Sequence, residues 1–243
     1  MRNVISEKLK ELRLSGVTER LEMRIQEARA NRLDYPEFLE IMLDDELMER
    51  ANKKMTRALK AANFRSLKTL EEFDWQFNPN IDRALFFELA TGQFIRDGRD
   101  LLMVGPPGTG KTCLAQAIGY EAIKQGFAVI YCSVFDLVRD LHFPASKREA
   151  TILNKYLKCD LLIIDDMGLK CLPENTGEHL FEIVMRRFEL KSIIMTSNRP
   201  IEDWGQLVGD IPIAGAILDR LLQGAQLIPF KGKSYRMRQN HSQ

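Results

Sequence analysis

Residues Gly105–Thr112 read GPPGTGKT. The apolar stretch Leu101-Leu102-Met103-Val104 leads into them, and residues 113–124 follow with apolar positions at helical spacing. Strand, glycine-rich loop and helix in that order, with Gly105, Gly110, Lys111 and Thr112 at fixed offsets, form a pattern that wraps phosphates. The backbone from Gly105 through Pro106, Pro107, Gly108, Thr109 and Gly110 to Cys113 supplies the cradle. Its glycines let N–H groups turn inward without a Cβ in the way. Lys111 reaches the β/γ-phosphates as a point charge, and the Thr112 hydroxyl is placed to hold Mg²⁺. The alternative is a glycine-rich turn that binds nothing, and it leaves the full eight-residue pattern in this context unexplained. The motif therefore implies a bound nucleoside triphosphate.

The remaining composition narrows the class. At 243 residues the chain can bury a proper core, and 45% hydrophobic with 28% charged residues is ordinary for a soluble globular protein. Without a run of about 20 apolar residues or a signal-peptide core, no membrane partner and a cytoplasmic location are expected. Cys113, Cys132, Cys159 and Cys171 are scattered without CxxC spacing, so neither a zinc site nor a disulfide framework is indicated. The net charge of +1 excludes little, but its distribution is informative.

Residues 1–33 read as two short amphipathic helices broken at Ser15-Gly16. Asp34-Tyr35-Pro36 then opens a longer one, with an expected apolar seam of Leu39, Leu43, Leu47, Ala51, Met55 and Leu59. Its charge is segregated: residues 34–49 hold seven acids and no base, residues 50–68 seven bases and no acid. Matching to the helix dipole fades within one turn, whereas the basic stretch covers about five turns. Arg50, Lys53, Lys54, Arg57 and Lys60 recur at spacings of three and four, as expected of a stripe facing an anion such as the DNA backbone. The bland reading is a solvated face. A domain boundary is expected between about Asn63 and Lys68, giving a helical domain over residues 1–65 and a nucleotide-binding domain over residues 66–243.

Beyond the glycine-rich loop, strands and helices alternate, which implies an α/β domain with a parallel sheet covered on both faces. Residues 161–166, LLIIDD, place carboxylates at the end of a buried strand. Asp165 can hold Mg²⁺ directly or through water, and Asp166 can orient or deprotonate the attacking water. One strand, residues 127–132, intervenes in sequence and is expected to separate the phosphate-binding strand from the carboxylate-bearing one. Asn198, in Thr196-Ser197-Asn198, fits a polar contact to the γ-phosphate or the water, or else a strand-ending turn. Arg220 lies on an otherwise apolar helix, as a surface partner of Asp219 or as a cation delivered across a subunit interface. Arg236, in Ser234-Tyr235-Arg236, is a second phosphate-contact candidate.

In this order GPPGTGKT, LLIIDD, TSN, the Asp219-Arg220 helix and SYR resemble the AAA+ initiator and loader clade. Within it the chain is most similar to the IstB-like family of transposition helper ATPases, with DnaC-type helicase loaders next. SGVTERL (residues 15–21) and FRSLKTLEEFDW (residues 64–75) add to the likeness. The resemblance implies an ATPase with a three-layer AAA+ core, a small all-α N-terminal domain and no C-terminal lid. It assigns Lys111 and Thr112 to Walker A, Asp165 and Asp166 to Walker B, Asn198 to sensor 1, Arg220 to the arginine finger and Arg236 to the sensor 2 position. Many AAA+ motors have Glu where this chain has Asp166. It further implies DNA, a transposase and further copies of the chain as partners, with ATP between adjacent subunits. In this clade an extra helix between the second and third strands lines the inner side of the assembly. Here that region carries Lys147, Arg148, Lys155 and Lys158, a second candidate DNA stripe or a solvated face.

Three other readings stand beside this one. A helicase loader would use the N-terminal helices to bind its helicase. A small-molecule kinase would need an acceptor site and an arginine-rich lid, neither of which the sequence offers. A non-hydrolysing scaffold leaves the two acids and Asn198 without a purpose.

Overall fold

The computed structural model describes residues 2–141, 147–168 and 176–239, which form two compact units, Met1–Arg57 and Ala58–Gln243. The first unit holds α1 (Arg2–Glu11), α2 (Ser15–Asn31) and most of α3 (Tyr35–Ala62). A reciprocal capping box opens α3: the Glu37 N–H donates to Asp34 Oδ1 (2.8 Å) and the Asp34 N–H to Glu37 Oε2 (3.0 Å).

The buried face of α3 is not the leucine seam read from the sequence. Leu39, Leu43 and Leu47 are 59%, 61% and 65% exposed, while Met42, Asp45 and Glu46 are buried. The reason is polar. Glu46 caps α2 from outside its own helix, accepting from the N–H groups of Gly16 (2.8 Å) and Val17 (3.4 Å). Asp45 takes Arg20 (2.8 Å) and Arg24 (2.7 Å), which hold its carboxyl down at about 2. Gly16 comes so close that a Cβ there would stand 2.5 Å from the Asp45 carbonyl oxygen. Ion pairs and a cap, rather than apolar burial, decide which face turns inward.

The second unit is built on β1 (Asp100–Val104), β2 (Val129–Ser133), β3 (Leu161–Met167), β4 (Ser192–Ser197) and β5 (Ala225–Pro229). Among the described residues these form one parallel sheet in the order β2-β3-β4-β1-β5. The strand separating the phosphate-binding and carboxylate-bearing strands is therefore β4. The sequence reading assigned that place to β2, which stands at the sheet edge. Chain order does not fix spatial order when every connection is a crossover. β1, β3 and β4 are buried almost throughout, as expected of apolar central strands.

The helices α4 (Arg83–Leu89) and α5 (Gln93–Arg96) precede β1, and α6 (Lys111–Lys124) follows it. Next come α7 (Val134–Leu141), α8 (Lys147–Lys158), α9 (Thr176–Arg187), α10 (Trp204–Val208), α11 (Ile211–Gly224) and α12 (Tyr235–Gln239). Asp210 caps α11 through the Ile213 N–H (2.9 Å), with Pro212 in the first turn. Leu180, Ile183, Ile217 and Leu221 pack against one face of the sheet around Trp204. No helix among the described residues is long and apolar enough to cross a membrane. Cys171 and residues 142–146 lie outside the described residues.

Candidate nucleotide site

The loop after β1 needs its glycines. Gly108 and Gly110 hold φ values of +77° and +108°, which L side chains rarely adopt. A Cβ on Gly108 would stand 2.1 Å from Ser234 Oγ, and one on Gly110 would be 2.8 Å from the Phe73 ring. Two distant segments thus close onto the loop. Tyr235 donates its N–H to the Gly108 carbonyl (2.9 Å), so the segment that carries Arg236 is docked on the loop as α12.

A cleft of about 350 Å³ opens beside the loop. Phe73, Phe77 and Tyr235 line one part, with Phe77 and Tyr235 edge to face at 4.9 Å, a surface suited to a flat base. Lys111, Thr112, Asp166, Asn198, Arg65 and Arg236 line the same cleft. Lys111 donates to the carbonyl oxygens of Gly105 (2.6 Å) and Pro106 (2.7 Å), and burial lowers its pKa to about 8 against the pull of Asp165 and Asp166. Thr112 Oγ1 donates to Asp165 Oδ1 at 2.9 Å. The hydroxyls of Tyr131 (2.6 Å) and Thr196 also donate to Asp165. Burial and its bond to Asp165 push the Tyr131 phenol upward. A hydroxyl and a carboxylate in contact form a hard oxygen set of the kind Mg²⁺ takes alongside phosphate and water.

In a regular strand neighbouring side chains point to opposite faces, which would keep Asp165 and Asp166 apart. The pairing of β3 with β4 is irregular between Ile164 and Met167, and Asp166 takes φ +66°. That left-handed conformation costs a non-glycine residue about 1–2 kcal/mol. It lets Asp166 line the cleft while Asp165 contacts Thr112. Burial and the neighbouring Asp165 raise the Asp166 carboxyl above its usual value, with Arg65 opposing them. Asn198 follows β4, its N–H donating to the Met167 carbonyl (2.9 Å), which ties it to the end of β3.

The structure thus gathers Pro107, Gly108, Thr109, Gly110, Lys111, Thr112, Cys113, Asp166, Asn198 and Arg236 around one cleft. Gly105 and Pro106 join through Lys111, and Asp165 through Thr112. Arg220 stays outside: it donates to Gln223 Oε1 (3.0 Å), lies over the Phe188 ring and stands 3.9 Å from Asp219. Sequence reasoning gave no site role to Arg65, Tyr131, Thr196 or Tyr235, although Arg65, Thr196 and Tyr235 lie within stretches that carry the family resemblance.

Elsewhere, Arg50, Lys53, Lys54 and Arg57 line a concavity of about 530 Å³ together with Arg13 and Ser15, which the sequence reading had not marked. Arg50 pairs with Glu46 (2.7 Å), and Lys53 donates to Ser15 Oγ (2.7 Å). Lys60 is exposed farther along α3. Lys155 and Lys158 are exposed on α8, while the side chains of Lys147 and Arg148 lie outside the described ones.

Comparison with known proteins agrees with this geometry. The family profile of the IstB-like ATP binding proteins matches residues 7–243. The ATP-binding protein of insertion sequence IS5376 from Geobacillus stearothermophilus is 35% identical over 100% of this chain and 97% of its own length. That of IS21 from Pseudomonas aeruginosa is also 35% identical, over 95% and 88%. Among solved structures, AMPPCP-bound DnaA from Aquifex aeolicus superposes with a TM-score of 0.57 and 26% identity. The match covers 74% of this chain and about half (55%) of that one. The sheet, the loop and the relatives converge: the chain belongs to the IstB-like family of AAA+ ATP-binding proteins.

Proposed function

We propose that this protein is an ATP-hydrolysing helper of a transposase, one that assembles on target DNA with ATP between adjacent subunits. The observation that carries the ATPase reading is the single cleft in which Asp166 and Asn198 face Lys111 and Thr112. The insertion-sequence setting of the relatives supports the transposase as partner. In this reading Lys111 leaves the Gly105 and Pro106 carbonyls for phosphate oxygens, and Thr112 with Asp165 holds Mg²⁺. When bound, ATP supplies the anhydride bond that is hydrolysed. Asp166 orients the attacking water and accepts its proton, and Asn198 fixes that water or the γ-phosphate. Arg236 contacts phosphate from within the same chain. Arg220, outside its own cleft, serves the nucleotide of a neighbouring copy.

DNA is held through phosphates by Arg50, Lys53, Lys54, Arg57 and Lys60 on α3, with Lys147, Arg148, Lys155 and Lys158 on α8 as a second stripe. Reversing Lys53, Lys54 and Arg57 to Glu is expected to weaken binding to duplexes of any sequence by similar factors, because phosphate contacts carry no sequence information. The slope of log affinity against log salt should become shallower by about 0.9 for each phosphate no longer neutralised. Fluorescence anisotropy across a salt series, with melting curves as a folding control, measures both. Wild-type affinity and slope in the variant would remove α3 from the DNA interface.

A further inference from the structure

We propose that Arg65 is a positioning residue for ATP hydrolysis, fixing the Asp166 carboxylate where the attacking water is received. The proposal rests on the reading of Asp166 as the group that handles that water.

The unusual backbone of Asp166 brings its side chain into the cleft but does not by itself orient it. Among the described residues, Arg65 is the side chain that bonds this carboxylate, donating from Nη1 to Oδ2 at 3.0 Å. The guanidinium is itself held from two other sides. It lies 5.9 Å from the centre of the Tyr131 ring, and its Nη2 stands 3.7 Å from Asp136 Oδ2 on α7. Tyr131 in turn donates to Asp165 at 2.6 Å, so one aromatic side chain touches both Asp165 and the partner of Asp166.

The residues on either side of Arg65 are anchored as well. Phe64 packs edge-on against Tyr131, with ring centres 6.2 Å apart, and sits over Gly119 of α6, where a Cβ would approach its ring to 2.9 Å. The Ser66 N–H donates to Gln116 Oε1 (3.2 Å), and Gln116 donates to the Thr112 carbonyl (3.3 Å). The segment carrying Arg65 is thus fastened to the helix that begins with Lys111 and Thr112. A planar fork with several donors on a fixed stem suits orientation better than a flexible ammonium does. Arg65 also lines the cleft, so direct phosphate binding is the competing role.

Steady-state hydrolysis and ATP calorimetry on the full chain separate the two, using Arg65→Ala, Arg65→Lys, Asp166→Asn and the Arg65→Ala/Asp166→Asn double variant. Positioning predicts that Arg65→Ala lowers kcat by about 10²-fold, the scale of a misplaced reacting group, while KM and the dissociation constant for ATP stay at wild-type values. Arg65→Lys should recover part of the loss, and Arg65→Ala should add nothing to Asp166→Asn. Unchanged or raised kcat in Arg65→Ala would overturn the proposal, as would a loss confined to ATP affinity. Wild-type turnover in Asp166→Asn would instead show that the reading of Asp166 beneath it had failed.

Discussion

Lys111→Ala is expected to lose ATP binding while the fold survives. The ammonium is buried beside Asp165 and Asp166 and donates to two loop carbonyls, so it is already aimed where phosphates would lie. Losing a hydrogen bond from a charged group costs about 1.5–3 kcal/mol, and each 1.4 kcal/mol is about a tenfold change in affinity. Alanine also leaves the Gly105 and Pro106 carbonyl oxygens without their donor, a cost that falls on the free loop rather than on ATP affinity. Calorimetry should therefore read an affinity at least about tenfold weaker, with far-ultraviolet circular dichroism unchanged. Wild-type affinity would mean that the nucleotide lies elsewhere.

Asp166→Asn should separate binding from turnover. The amide matches the carboxylate in shape, and asparagine tolerates the left-handed backbone found at this position better than most residues. It still offers an oxygen to Arg65 but cannot take the proton of the attacking water. Losing a positioned base typically costs about 10²–10⁴-fold in rate. Hydrolysis should fall on that scale with ATP affinity retained, and the assembled, DNA-bound state should outlive that of the wild type. Phosphate release measured beside calorimetry decides it, and native turnover would assign the water to another group.

Much of this site is legible in the sequence because its parts are local. GPPGTGKT sets loop, lysine and hydroxyl within eight residues, and an apolar run ending in Asp165-Asp166 marks both a central strand and its carboxylates. What surrounds those acids is not local. Arg65, Tyr131 and Thr196 come from a segment before β1, from β2 and from β4, and each is an ordinary residue in its own stretch. The irregular pairing that turns Asp166 inward has no glycine to announce it. The neighbour of β3 likewise follows from the order of crossovers, which periodicity does not record.

The N-terminal unit illustrates the opposite failure. A leucine every fourth residue reads as a buried seam, yet Asp45 and Glu46 occupy the inward face because arginines and two helix-end N–H groups satisfy them there. Hydrophobic period ranks apolar faces against each other and is silent about a polar network that outcompetes them. Arg220 is a third kind of case. Within one chain it meets Gln223, Asp219 and Phe188, and the role proposed for it belongs to an interface between copies.

The central claim is that ATP drives assembly of this chain on DNA. Sedimentation velocity of the wild-type protein tests it most directly, with duplex DNA and with or without a slowly hydrolysed ATP analogue. The account predicts a large protein–DNA complex when nucleotide and DNA are both present, and a far smaller species when the nucleotide is left out. Assembly of the same size without nucleotide, or a monomer that persists with nucleotide and DNA together, would contradict it.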